Sequence, residues 1–133
     1  MPVKLKWLGE GMRFAGGPEA GPLTIVDGDG KVGQSPMTVF LMGLAACTAS
    51  DIVDIAGRMR VPIGSLDVDA IEERRAEPPR HFTRLKLVYR VTGVAEMDRP
   101  KVERAVELSH EKYCSALHSI RSDVTVETEV AFA

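Results

Sequence analysis

Residues 35–60 read SPMTVFLMGLAACTASDIVDIAGRMR and include the longest apolar run of the chain, residues 37–49. Ser35 is a good N-cap and Pro36 suits the first helical position, so the stretch predicts a helix from Pro36 to Arg60. Its first half is apolar on every side, which predicts burial all round, and its second half is amphipathic. At about 1.5 Å per residue the helix would span roughly 37 Å. Such a helix is long for a small domain, and we expect it to pack against something outside its own monomer.

The length and composition predict one soluble domain over residues 1–133. The chain has a mass of 14.5 kDa, and its 44% hydrophobic and 27% charged residues are close to globular averages, which argues against disorder. The net charge is −2 with both signs interleaved, so neither nucleic acid nor an anionic membrane is an expected partner. The apolar run at 37–49 is shorter than the roughly 20 residues of a membrane helix. With no signal peptide recognisable at the N-terminus, we expect a cytoplasmic protein.

Alternating apolar and polar residues predict the remaining elements. Three short strands precede the helix and two follow it, a second helix begins at Asp98 or Arg99 and ends near Ser119, and a last strand closes the chain. The predicted strands lie at residues 3–7, 12–14, 23–26, 66–70, 85–91 and 124–132. The order βββ-α-ββ-α-β indicates an α+β fold.

Residues 28–33 match the pattern G-x-G-x-x-G after a predicted strand, with Asp51 or Asp54 near the distance of a ribose-binding acid. A dinucleotide site would need the third glycine to open a helix within a parallel βαβ unit. In this chain Ser35 and Pro36 start the helix instead. We therefore favour a hairpin tip at residues 27–30.

His110, Cys114 and His118 are spaced four apart in the predicted second helix, which suggests zinc as one alternative. Residues eight apart on a straight helix are separated by about 12 Å, so both histidines cannot bind one ion. A site made of Cys47, Cys114 and one histidine stays open as a weak alternative, because no CxxC or HxxxH motif supports it. The favoured prediction includes no metal.

Cys47 and Cys114 are the two cysteines of a chain expected in a reducing compartment, where paired thiols are more often catalytic or metal-binding than disulfide-bonded. The alternative is two inert core thiols. Cys47 lies about three turns inside the first helix, beyond the reach of the helix dipole, so a reactive thiolate needs a cation from elsewhere. Arg13, in a glycine-rich segment, is the candidate for this cation. The alternative interpretation is that Arg13 is a solvated arginine in a loop.

Two cysteine-containing segments resemble the OsmC/Ohr family. Residues 35–37, 44–53 and 58–60 are similar to the central helix of that family, and residues 103–109 with 111–115 are similar to its second cysteine helix. The resemblance covers the whole chain. It implies an intertwined homodimer, with two long central helices packed at the middle and enclosed by sheets.

The same resemblance implies a function. Members of this family include thiol-dependent peroxidases that reduce organic hydroperoxides. On that pattern Cys47 is the peroxidatic thiol, Cys114 is the resolving thiol and Arg13 is the cation that favours the Cys47 thiolate. The resemblance also implies an external dithiol or lipoyl-type reductant in place of a bound cofactor. The alternative function is binding of a small apolar or thiol ligand in the dimer cleft without turnover.

One departure from the family pattern concerns the partner of Arg13. The family usually places a glutamate in the first turn of the central helix to orient the arginine, whereas residues 36–39 of this chain read PMTV. Thr38 can hydrogen bond but cannot form an ion pair. Glu10 and Glu111 are candidate substitutes. We expect a modest peroxidase rate, and a faster one in Thr38→Glu if the new carboxylate reaches Arg13.

Overall fold

The computed structural model describes residues 2–133 and confirms the predicted order of six strands and two helices. The helices are α1 (Pro36–Arg58) and α2 (Arg99–Leu108). The strands are β1 (Val3–Trp7), β2 (Arg13–Pro18), β3 (Thr24–Asp27), β4 (Ser65–Arg74), β5 (Phe82–Thr92) and β6 (Thr125–Phe132). This is the predicted α+β fold, with two three-stranded sheets.

The chain divides into two compact units whose boundary falls inside α1, between Met42 and Gly43. In the first unit β1, β2 and β3 form an antiparallel meander, in which Trp7 lies opposite Phe14 and Arg13 lies opposite Asp27. All five residues of β1 are exposed in the single chain. In the single chain β1 is therefore held by its backbone ladder with β2 rather than by buried side chains.

The second unit contains the buried core. Its strand order is β4-β5-β6, with β4 antiparallel and β6 parallel to the central β5. The second half of α1 and the helix α2 pack on β5 and form two apolar clusters. The clusters consist of Ile52, Leu87, Tyr89 and Val106, and of Ala56, Val61, Val91 and Val102.

The prediction that the first half of α1 is buried all round is wrong for the single chain. The buried residues of α1 recur every fourth position and so form one stripe, while Phe40 is 48% and Met42 is 55% exposed. By length and composition alone this helix could cross a membrane, but core helices of soluble proteins pass the same test. The buried stripe consists of Leu44, Thr48, Ile52 and Ala56.

Most strand bounds shift by a few residues from the prediction, and the end of α1 and the turn after β3 differ as well. The helix α1 ends at Arg58 rather than Arg60, because Arg60 adopts a positive φ of 59° and the Val61 amide bonds back to the Ala56 carbonyl at 2.9 Å. The predicted hairpin tip at residues 27–30 is wrong as well. These residues form a turn that leads toward α1, and within residues 2–133 β3 is followed by an isolated parallel bridge between Val26 and Gln34 instead of a hairpin partner.

The second helix is shorter than predicted. Regular α-helix ends at Leu108, and residues 109–113 form one π-helical turn. In that turn the Cys114 amide donates to the Ser109 carbonyl, five residues back, at 2.8 Å. Cys114 itself has an extended backbone, with φ −73° and ψ 103°. Cys114 and His118 therefore lie beyond the helix on which the sequence placed them.

Candidate functional site

The structure brings Cys47 and Cys114 together in the second unit. Cys47 lies on α1 and is partly exposed, whereas Cys114 follows the π-helical turn and has no exposed surface. Both are free thiols. The π-helical turn ends the helix before Cys114, so Cys114 has an extended backbone. From there its thiol interacts with the side chain of Cys47 on α1.

The surroundings of Cys114 disfavour its ionisation. Burial raises the pKa of the Cys114 thiol to about 11, and a hydrogen bond and charge repulsion from Cys47 act in the same direction. The Leu117 amide, whose nitrogen is 3.4 Å from Cys114 Sγ, opposes this shift by donating to the sulfur. At neutral pH Cys114 is therefore a thiol rather than a thiolate.

A tyrosine and a histidine lie beside the thiol pair. Tyr89 Oη and His110 Nε2 are 2.7 Å apart, and the two rings meet edge to face. Burial raises the pKa of Tyr89 to about 12, a hydrogen bond from Thr48 lowers it, and the negative charges of Cys114 and Asp51 raise it further. Burial also lowers the pKa of His110, which favours the neutral imidazole.

Asp51 connects the thiol region to a cavity. Asp51 lies one turn after Cys47 on α1. Its carboxylate accepts a hydrogen bond of 2.9 Å from the hydroxyl of Ser109, a fully buried residue. Asp51 also borders a cavity of about 440 Å³. That cavity is lined by Asp51, Asp54, Ile55, Arg58, Met59, Leu108 and Tyr113.

Arg13 lies in the first unit, at the start of β2, with carboxylates on two sides. Its guanidinium is 3.5 Å from Glu10 and 4.0 Å from Asp27. Glu10 is one of the two substitutes that the sequence suggested. The other substitute, Glu111, lies 3.9 Å from Arg104.

Asp27 is a buried carboxylate that the sequence analysis assigned only to a turn. It accepts hydrogen bonds from the amides of Asp29, Lys31 and Val32 at 2.9–3.1 Å. These bonds, led by that of Val32, lower the pKa of Asp27, and the charge of Arg13 adds to the effect. Asp27 is therefore ionised, and its charge faces the arginine across the β2–β3 pair.

The start of α1 has a purely local cap. Ser35 Oγ accepts from the Thr38 amide at 3.3 Å and donates to Thr38 Oγ1 at 2.8 Å. The first turn of the helix carries no acidic residue. Thr38 thus stabilises the N-terminus of the helix without contributing charge.

The structure offers little support for zinc. Among residues 2–133, no group of three or more His, Cys, Asp or Glu residues is arranged to hold a metal ion. His118, the second histidine of the proposed spacing, instead places its Nε2 3.1 Å from the carbonyl oxygen of His110.

Sequence reasoning did not identify Tyr89, Thr48 or Ser109 as site residues, and it considered Asp51 only as a ribose-binding acid. The sequence did contain a signal for Tyr89, Thr48 and Ser109. Each of these polar residues occupies a position that the periodicity assigns to a buried face. Buried hydroxyls need partners, so such positions indicate a polar network. The sequence could not show which elements supply those partners.

Comparisons with known proteins agree with the fold. The sequence profile described as OsmC-like protein matches residues 28–129. Protein YhfA of Escherichia coli K12 is 37% identical over 127 residues, which cover 95% of this chain and 93% of that protein.

Solved structures show the same fold over nearly the whole chain. A hypothetical protein from Aquifex aeolicus superposes with a TM-score of 0.87 at 23% identity, covering 99% of this chain and 95% of that one. The organic hydroperoxide resistance protein OhrB of Bacillus subtilis superposes with a TM-score of 0.60 at 17% identity, covering 99% and 96%. At these identities the two likenesses concern the fold.

Proposed function

The chain belongs to the OsmC-like protein family, and from this premise we propose that it reduces organic hydroperoxides through Cys47 and Cys114. The observation that carries the proposal is the interacting thiol pair, of which one member is partly exposed and the other fully buried. A pair of this kind suits a cycle in which one sulfur meets the substrate and the other reacts only within the protein.

Cys47 is the proposed peroxidatic residue because it is the more accessible thiol and lacks the burial of Cys114. Its thiolate attacks the distal peroxide oxygen, so the O–O bond breaks, an alcohol leaves and Cys47 becomes a sulfenic acid. Cys114 then attacks the oxidised sulfur. The S–S bond forms, the S–O bond breaks and water leaves. An external dithiol or lipoyl-type reductant returns both residues to thiols.

Arg13 is the proposed cation that favours the Cys47 thiolate. Glu10 and Asp27 support this role, because two carboxylates limit the orientations of the guanidinium, as the family's glutamate does. The homodimer and the cytoplasmic location are further parts of the proposal. The exposed apolar residues of α1 and β1 favour the dimer, since a second copy would cover them.

Mass spectrometry after treatment with an alkyl hydroperoxide tests the proposal. We expect an intramolecular Cys47–Cys114 disulfide in the native chain, which requires Cα atoms within about 7 Å. Cys47→Ser should abolish peroxide consumption. Cys114→Ser should allow a single turnover and accumulate Cys47 as sulfenic or more highly oxidised forms. Two unmodified thiols, under conditions that oxidise a known peroxidase, would refute peroxidase activity.

A second candidate function is binding of a small ligand without turnover. The absence of an acidic residue from the first turn of α1 favours it, and so does the cavity of about 440 Å³ that adjoins Asp51. Its lining of apolar side chains with two carboxylates and an arginine suits a small amphiphile. Unmodified thiols in the peroxide experiment, together with saturable binding of such a compound, would support this function instead.

A further inference from the structure

Cys114 stands where regular helix has already ended, so helix geometry does not fix its position. The π-helical turn over residues 109–113 precedes it, and Cys114 itself has an extended backbone. Holding two reacting groups in the correct geometry accelerates their reaction, because it raises the effective concentration of one at the other. Contacts that tie this segment to α1, the helix that carries Cys47, therefore bear directly on the proposed cycle.

Ser109 makes two hydrogen bonds that tie Cys114 to α1. Its hydroxyl donates to Asp51 Oδ2 at 2.9 Å, and its carbonyl accepts from the Cys114 amide at 2.8 Å. Ser109 has no exposed surface, so its hydroxyl is not in contact with bulk water. Asp51 follows Cys47 by one turn of α1, and residues with this spacing lie on one face of a helix. The two hydrogen bonds therefore join the Cys114 segment to the face of α1 that carries Cys47.

We propose that Asp51 and Ser109 are positioning residues for the disulfide step, an inference that rests on the proposed roles of the two thiols. Their hydrogen bond holds the Cys114 segment against α1, so the Cys114 sulfur is already beside Cys47 when Cys47 is oxidised. Neither residue exchanges a proton or an electron with the sulfurs. Without this bond the reduced segment samples more conformations, and closing the disulfide costs more conformational entropy.

A second contact holds the same turn to a different element. Tyr89 Oη and His110 Nε2 are 2.7 Å apart, which fixes the turn to β5. The strand β5 carries neither thiol, whereas α1 carries Cys47. The Asp51–Ser109 bond therefore differs from this contact, because it acts between the two chain segments that react. Removing the Ser109 hydroxyl leaves the Tyr89–His110 contact in place, so we expect the turn to stay folded.

Redox equilibrium with glutathione measures positioning without any peroxide. The two thiols of the protein become a disulfide while oxidised glutathione is split into two molecules of reduced glutathione, so bonds and electrons balance. The ratio of disulfide to dithiol protein at fixed glutathione concentrations gives the effective concentration of Cys114 at Cys47. Mass spectrometry after acid quenching separates the reduced, disulfide and mixed-disulfide forms. A contact that stabilises reduced and oxidised protein equally does not change this ratio.

Ser109→Ala should lower the effective concentration about tenfold, the factor that corresponds to the loss of one ordinary hydrogen bond. This change raises the reduction potential of the thiol pair by about 30 mV. Asp51→Ala should have the same effect from the α1 side, and it keeps the test open if Ser109→Ala does not fold. In the double variant the loss should stay near tenfold rather than reach about 100-fold, because both substitutions remove the same bond.

Ser119→Ala is the matched control, because the Ser119 hydroxyl donates to the Ser115 carbonyl at 2.7 Å, within the segment that follows the thiol and not to α1. We expect the wild-type ratio. Four results would overturn the positioning role: a wild-type ratio in folded Ser109→Ala or Asp51→Ala, an equal fall in Ser119→Ala, losses that add in the double variant, or no disulfide between the two thiols of the native chain. If the ratio falls as expected while hydroperoxide leaves both thiols unmodified, the positioning role stands and the peroxidase proposal fails.

Discussion

The two compact units of this chain differ in how many apolar side chains they bury. Residues 43–133 enclose two apolar clusters, and beside them the two thiols lie near buried hydroxyls, an imidazole and the carboxylate of Asp51. Residues 2–42 form a sheet whose first strand is exposed along its whole length, and there a guanidinium lies among carboxylates. The thiol pair and the candidate cation thus belong to differently built parts of the molecule.

This difference teaches that a thiol pair and a charged arginine have separate structural requirements. A thiol pair that must exclude water benefits from a packed core, whereas a charged arginine would lose hydration there. In the first unit Asp27 is buried, and backbone amides compensate its charge.

Leu87→Ala should have the largest effect. Leu87 is fully buried in the cluster with Ile52 and Tyr89, so its truncation should lower the free energy of unfolding by about 2–5 kcal/mol. Leu5→Ala, on exposed β1, should cost less than about 0.5 kcal/mol. Urea unfolding measures both. A cost for Leu5→Ala approaching that of Leu87→Ala would mean that β1 is covered in solution.

Gly43→Leu tests whether a second copy covers α1 at the boundary between the units. A Cβ at Gly43 would meet nothing within 4 Å in the single chain, so the chain itself should tolerate the change. If two copies pair through α1, overpacking in that helix pair would cost about 1–3 kcal/mol and weaken the proposed dimer. Ala46→Leu should have the same effect. Sedimentation at micromolar concentration measures assembly, with Glu103→Leu on α2 as control. Variants that stay dimeric and equally stable would contradict the packing argument.

Arg13→Ala should slow the reaction of Cys47 with an alkyl hydroperoxide about tenfold. This corresponds to the loss of about 1.4 kcal/mol of thiolate stabilisation. Arg13→Lys keeps the charge but loses the planar contact with two carboxylates, so it should retain part of the rate. Stopped-flow single-turnover kinetics in the Cys114→Ser background measure the step. An unchanged rate in Arg13→Ala would remove this arginine from the site.

Asp27→Asn should lower Tm at neutral pH, because an amide cannot replace the charge that three backbone amides and Arg13 stabilise. The folded pKa of Asp27 lies below the ordinary 3.8, so its stabilisation is present above that value and is lost as pH falls through the folded pKa. The Tm difference between wild type and variant should therefore narrow below about pH 4. Asp29→Asn, at an exposed position, is the control and should leave Tm unchanged.

Thr38→Glu should have the smallest effect. With Ser35 as N-cap, a glutamate at position 38 would complete a capping box and favour the helix dipole by about 0.3–1 kcal/mol. Thermal melting measures this gain.

The sequence alone predicts that Thr38→Glu also reduces peroxide faster. Because Glu10 and Asp27 already face Arg13, we now expect the rate to stay the same, and a clear increase would show that those two carboxylates are insufficient.

The sequence by itself determined the order of the elements and the start of α1. Strand and helix periodicities are local, and the Ser35–Pro36 start signal acts within one turn, so they can be read without tertiary contacts. The cysteine-containing segments were recognisable for the same reason. The sequence also named Glu10 and Glu111 as candidate partners of Arg13, and it was the structure that placed Glu10 beside the arginine.

Tertiary structure alone decided where the second helix ends and which groups meet the thiols. The helical pattern of α2 runs past Leu108, but a π-helical turn replaces it and places Cys114 against α1. Tyr89 meets His110, and Asp51 meets Ser109, across 21 and 58 residues of chain. Such contacts depend on how β5, α1 and α2 pack, and local patterns carry no information about them. Asp27 belongs with these residues, because strand pairing sets it opposite Arg13.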